Sequence, residues 1–373
     1  MDNLTHSLVG LTAAKAGLEK LSPGATILCV LAANAPDSDI VVLAFGDRWS
    51  FLQHHRGITH AIVGVIGLAL ALPLIFYVVD RLWSRFRSQT PQTKFKGLLI
   101  ASSITSATHP LLDWTNNYGI RFLLPWNERW SYGDLVYIVD PFIWLMLGGA
   151  AFLLSAKTRS QKFIWGGLAA ILTFLMVASP RSSGLPNPSL IAVLWICALI
   201  LFIVLFVKGA RERWGNRLAF VAFALLLGYW SLLAFAHSRA VARGGEEASR
   251  IAGANGEAVA RLAAMPTLAN PFRWDCVFET ERATYRFNLG LVGDAEPGNA
   301  VRYVKTPELM ETVSQQRPAR VFLGFARFPV MQLADPGCTT RTLVQLADLR
   351  YTEPGRSRGS FSLEVPVDCP TQQ

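Results

Sequence analysis

Six long apolar runs leave a chain of this kind few ways to fold. They cover residues 59–79, 97–112, 141–155, 163–179, 189–207 and 218–237. A bilayer is crossed by roughly 20 apolar residues in an α-helix, and these runs approach or reach that length. Two shorter stretches precede them. Asp2 or Asn3 can cap a helix over residues 4–20, with Ser22-Pro23-Gly24 as its turn. A second stretch, 25–35, stops at Pro36-Asp37-Ser38-Asp39, and the pair reads as a helical hairpin entering the bilayer. Residues 40–45 are apolar again and suit the interface. The expected fold is a polytopic α-helical membrane bundle of about six to eight membrane helices.

Charge supports a division near residue 240. Up to His237 there are 19 Lys+Arg against 11 Asp+Glu, and the remaining residues hold 16 against 15. The net charge of +9 therefore belongs almost wholly to the apolar part. Positive charge beside membrane spans sets orientation, so it does not argue for a nucleic-acid partner. The first residues, with Asp2 and His6, lack the basic and apolar regions of a cleavable signal peptide. Loops 80–96 (Arg81, Arg85, Arg87, Lys94, Lys96), 156–162 (Lys157, Arg159, Lys162) and 208–217 (Lys208, Arg211, Arg213, Arg217) are basic. The intervening 46–58, 113–140 and 180–188 hold only Arg48, Arg56, Arg121, Arg129 and Arg181. The first set is expected to be cytoplasmic.

Against that frame the histidines are unusual. Five of the six (His6, His54, His55, His60 and His109) lie before residue 110, each at the end of an apolar stretch. With Asp37, Asp39 and Asp113 they all fall at the non-cytoplasmic ends of their segments. Ionisable groups at such places are costly and need a reason. His109 and Asp113 are spaced i,i+4 on one helical face, where they can share a cation or simply a hydrogen bond. Asp37 and Asp39 lie on one side if extended, beyond a helix C-terminus whose dipole disfavours them. His6 and His60, each taken alone, also suit an interface. Arg56 can anchor a phosphate or carboxylate through its planar fork, or snorkel. Taken together, the nitrogen and oxygen donors suit a divalent metal, zinc first, with manganese or iron as alternatives.

Thr5-His6, Pro36-Asp37-Ser38-Asp39, His55-Arg56-Gly57-Ile58-Thr59-His60 and His109-Pro110-Leu111-Leu112-Asp113, followed by Asn117-Tyr118-Gly119 and Leu124-Pro125, resemble the YdjM-type membrane-bound, metal-dependent hydrolases. The resemblance covers about residues 3–126. It implies a hydrolase of the bacterial inner membrane and metal-site roles for His6, Asp37, Asp39, His55, His60, His109 and Asp113. The expected ligands are His6, Asp37, His60, His109 and Asp113. Asp39 and His55 would serve as second-metal ligands or proton carriers, and Arg56 would orient an anionic group. His54 ranks lower. In the loop 114–137, Asn116, Asn117, Arg121, Trp126, Glu128, Arg129, Trp130 and Asp134 can line an entrance, although the tryptophans also suit an interfacial belt. Asp140-Pro141 reads as a helix start.

After His237 the text changes. Residues 238–264 are rich in Ala, Arg, Glu and Gly and read as a helical or loose stalk, taken to end near 270. From Phe272 strands are expected at 274–279, 284–289, 301–304, 321–328, 343–349 and 361–365, giving a small β-rich domain over 271–373 on the extracytoplasmic side. Cys276, Cys338 and Cys369 lie there, and the sequence does not choose which two would pair. Cys29 and Cys197 are expected to be inert core residues. The expected activity is hydrolysis of an ester or phosphoester of an amphiphilic or lipid substrate by metal-activated water. A transporter or metal-sensing membrane protein is the alternative, and a partner-binding role for the β domain a weaker third.

Overall fold

The structure, a computed structural model, describes residues 1–178, 188–292, 299–338, 340–357 and 359–369. Arg181 and the loop around it, 180–187, lie outside the described residues. The chain divides into two compact units. The first comprises residues 1–38, 58–233 and 268–270, and the second 39–57, 234–267 and 271–373.

In the first unit, α1 (Asn3–Ala16) starts at Asp2, whose carboxylate accepts from Thr5 N at 3.0 Å. It packs against α2 (Ala25–Asn34) at Gly10, where a Cβ would stand 2.6 Å from the Cys29 carbonyl oxygen. A 3-10 stretch, Ala35–Ala44, continues from α2, and α3 (Arg48–His54) follows it in the second unit. Then come α4 (Ile62–Phe86), α5 (Phe95–Trp114), α6 (Pro141–Ser155), α7 (Arg159–Ala178), α8 (Pro188–Val207), α9 (Ala210–Trp214) and α10 (Arg217–Ala254). Asp140 starts α6 as expected, accepting from Phe142 N at 2.8 Å with Pro141 in the first turn.

α5 is polar inside and apolar outside. Ser102, Thr105, Ser106, His109 and Asp113 are buried, while Ile104 and Leu111 are about half exposed. A helix in water does the reverse, so this distribution is that of a helix facing lipid with its outer side. Among the described residues, three helical stretches are long and apolar enough to cross a membrane: Ala25–Ala44, Ile62–Phe86 and Arg217–Ala254. Pro141–Ser155 and Ile191–Val207 are apolar but shorter. Length and composition alone thus support fewer spans than the six to eight expected. Cys197, expected in a core, is exposed on α8, because that helix is apolar on every side.

The second unit is α+β. Strands β1 (Arg261–Thr267), β2 (Asn270–Glu279), β3 (Ala283–Gly290) and β4 (Val301–Val304) form one sheet in that order. After α11 (Pro307–Ser314) and α12 (Arg317–Phe325), strands β5 (Pro329–Leu333), β6 (Arg341–Asp348) and β7 (Ser362–Asp368) form a second, antiparallel sheet. The period of two along β2 sends Cys276 and Phe278 to one core and Val277 to another. The first core is closed by Ala236, Ala240, Ala248 and Ala252 of α10, the second by Phe328, Val330 and Ala347.

Two expectations fail here. Residues 321–328 begin in α12 rather than a strand, because Ala319, Phe322 and Phe325 bury one face at a spacing of three and Pro318 lies in the first turn. Residues 261–264, expected in the stalk, begin β1. Ala263, Ala264 and Met265 are weak strand formers, but each fills a core. Cys338 pairs with Cys369. Cys276 stays a free thiol under the α10 helix, and burial pushes its pKa up to about 12.

Candidate metal centre

Four side chains of the first unit converge. Asp37 comes from the 3-10 stretch after α2, His60 from the turn before α4, and His109 and Asp113 from adjacent turns of α5. His60 Nε2 lies 3.2 Å from Asp37 Oδ1 and 3.5 Å from Asp113 Oδ2. His109 Nε2 lies 3.6 Å from Asp37 Oδ1 and 3.5 Å from Asp113 Oδ2. Four ligands at metal bonds of about 2.0–2.1 Å in a tetrahedron stand about 3.3 Å apart, and the four His–Asp separations match that spacing for a divalent metal.

The local chain explains why the imidazoles face inward. The last carbonyls of a helix lack intrahelical partners. One of them, Ala33 O near the end of α2, accepts a hydrogen bond from His109 Nδ1 at 2.7 Å. That bond fixes the proton on Nδ1 and turns the Nε2 lone pair toward the carboxylates. His109 Nε2 is buried with no hydrogen-bond partner among the described residues. A buried ring nitrogen facing two carboxylates is an arrangement that a divalent cation can complete. The donor set therefore fits a divalent metal.

His6, on α1, stacks on His109 with ring centroids 3.8 Å apart, and its Nε2 lies 3.4 Å from Asp113 Oδ1. It stands beside the cage rather than in it. The Met1 backbone nitrogen also contacts Asp113 Oδ1. The Ala33 carbonyl was not legible as a site group, because a backbone oxygen carries no distinguishing letter.

Asp39, His55 and Arg56 belong to the second unit. His55 Nδ1 lies 3.2 Å from both oxygens of Asp39, and Arg56 N donates to Asp39 Oδ2 at 3.0 Å. The Arg56 side chain is buried, and its backbone takes a positive φ of 52°. His54 is exposed at the end of α3. In the loop after α5, Asn116, Asn117 and Asp134 are buried, whereas Trp126 is exposed. Arg121 lies over the Trp130 ring at 4.6 Å.

Residues 1–183 match a family model described as YdjM inner membrane protein. The inner membrane protein YbcI of Escherichia coli (strain K12) is 25% identical over 198 residues, which make up 52% of this chain and 95% of that protein. Both are named for the inner membrane, and neither name states an activity. No solved structure matches the chain.

Proposed function

We propose, from the match of residues 1–183 to the YdjM inner membrane protein family, that the chain is a membrane-bound, metal-dependent hydrolase of the bacterial inner membrane. Its substrate would be an ester or phosphoester of an amphiphile or lipid, reached at the extracytoplasmic face. One observation carries this reading: the cage of Asp37, His60, His109 and Asp113, whose four His–Asp separations are 3.2–3.6 Å. A divalent metal held there would supply a Lewis acid and lower the pKa of water to about 7, as zinc does in hydrolytic sites. His60 and His109 would present their Nε2 atoms to it, and the bond from His109 Nδ1 to Ala33 O holds that ring in place. Asp37 and Asp113 supply the compensating negative charge. His55, hydrogen-bonded to Asp39, is a histidine–carboxylate pair of the kind that carries protons. Arg56 offers a guanidinium for an anionic group.

The test is metal content of the protein purified in detergent, beside His60→Ala and His109→Ala. Near-stoichiometric zinc, manganese or iron, lost in both variants, is expected. Hydrolysis of ester and phosphoester lipids should then disappear in Asp37→Asn and on chelation. Wild type that stays empty after metal is added back would sink the metal centre. A loaded protein that hydrolyses none of these lipids would move the reading to a transporter or sensor.

A further inference from the structure

Beyond the metal centre, and independent of it, an apolar crevice of about 330 Å³ opens among α6, α7 and α8. Ligand pockets span roughly 300–1,000 Å³, so it is large enough to hold part of a small molecule or chain. Its walls include Trp144, Trp165, Leu172, Trp195 and Phe202. The indole N–H groups are already used: Trp144 donates to Asp2 and Thr5, Trp165 to Ser155 Oγ, and Trp195 to Thr173 Oγ1. What remains toward the cavity is ring face and aliphatic surface. Gly166 leaves the wall open, with no atom within 4 Å of where its Cβ would be.

One end of this crevice is charged. Lys162 lines it there, over the ring of Phe206 at 5.1 Å. The same two residues also line an adjoining hollow of about 210 Å³ with Lys157, Arg211 and Glu212. Three cations face one carboxylate. An apolar crevice adjoining a basic hollow matches a molecule with an acyl chain and an anionic head. Basic pockets between membrane helices are where anionic lipid headgroups bind. We propose that this crevice is a specific site for an anionic phospholipid, one acyl chain lying against the tryptophans and the phosphate held by Lys157, Lys162 and Arg211.

The tryptophans supply the readout. Phosphatidylglycerol with brominated acyl chains, which quench indole fluorescence on contact, is titrated into the full-length protein in detergent. Brominated phosphatidylcholine and inorganic phosphate are the comparison arms. Three cations near the headgroup favour the anionic lipid, so phosphatidylglycerol should quench at a concentration about tenfold or more below phosphatidylcholine. That preference should vanish in the triple variant Lys157→Gln, Lys162→Gln, Arg211→Gln. Ala169→Phe, which fills the crevice and leaves the basic hollow intact, should abolish the high-affinity phase. Phosphate alone should not displace the lipid. Equal quenching by the two lipids, a preference that survives the triple variant, an unaltered titration in Ala169→Phe, or full displacement by phosphate would each overturn the proposal. The last two would leave a basic surface without a chain site.

Discussion

Gly64 decides where His60 stands. It lies in the first turn of α4, and a Cβ there would sit 1.9 Å from Ile58 O and 2.9 Å from Thr59 Cα. Intrinsic propensity would favour alanine in a helix by about 1 kcal/mol. The steric demand opposes it, and at that separation the backbone of 58–60 must move. Gly64→Ala is therefore expected to lose metal as His60→Ala does, with a lower melting temperature, although no ligand is replaced. A variant that keeps its metal and melts higher would show that propensity outweighs the contact. Asp47 offers a pH reading at the same scale. Its carboxylate caps α3, accepting from Ser50 N at 2.7 Å and Ser50 Oγ at 2.8 Å, and pairs with Arg317 at 3.1 Å. The Ser50 bonds first, and Arg317 after them, hold its pKa down to about 2. The folded value lies below the unfolded value of about 3.9, so the contribution is complete above that pH and is lost as pH falls through about 2. Fluorescence of the nearby buried Trp49 should show this acid transition, and Asp47→Asn should remove it. The ligand side chains were legible because ionisable letters at the ends of apolar runs stand out. Gly64 was not, since its role is the absence of an atom at one backbone approach.

α10 shows what an element can hide. Small residues recur every four positions along its second half, at Ala236, Ala240, Gly244, Ala248 and Ala252, and all five are buried. They let the helix lie flat on the face of the first sheet, over Trp274, Phe278 and Phe287. At Gly244 a Cβ would stand 3.1 Å from Cys276 Sγ. Gly244→Leu is expected to destabilise this unit by about 1–3 kcal/mol, the usual cost of overpacking a core, while Gly253→Ala, with nothing within 4 Å, should be tolerated. Limited proteolysis of the two variants would compare them, and equal protection would contradict the close packing. All but Ala236 fall in what the sequence presents as a helical or loose stalk, because alanine and glycine give a weak hydrophobic signal. Their spacing, not their hydrophobicity, carried the information. In 321–328 the opposite error arose: consecutive apolar letters fit a strand until the spacing of Ala319, Phe322 and Phe325 is counted. The apolar helices were easier to place, since α6 begins and ends where its apolar run does.

For the molecule as a whole, the Cys338–Cys369 bridge bears on compartment. Such bonds persist in oxidising surroundings, which supports an extracytoplasmic location for the β domain. The bridge closes a separation of 31 residues, and a loop of that size contributes about 4 kcal/mol. Cys338→Ser with Cys369→Ser is expected to lower stability by that order in denaturant titrations and to leave metal content unchanged. Loss of metal as well would mean that the two functions are not separable. The division into an apolar, basic part and a charge-balanced β-containing part was visible in composition, but pairing of the cysteines was not, because three letters do not fix a partner. The cage also has a consequence in time. All of its side chains lie between Asp37 and Asp113, and the supporting His6 precedes them. A ribosome elongating at roughly 5–20 residues per second still has the greater part of the chain to make when Asp113 is added. The metal can thus be captured by a nascent chain. It would then be an early clasp on the first helices, present before the β domain exists.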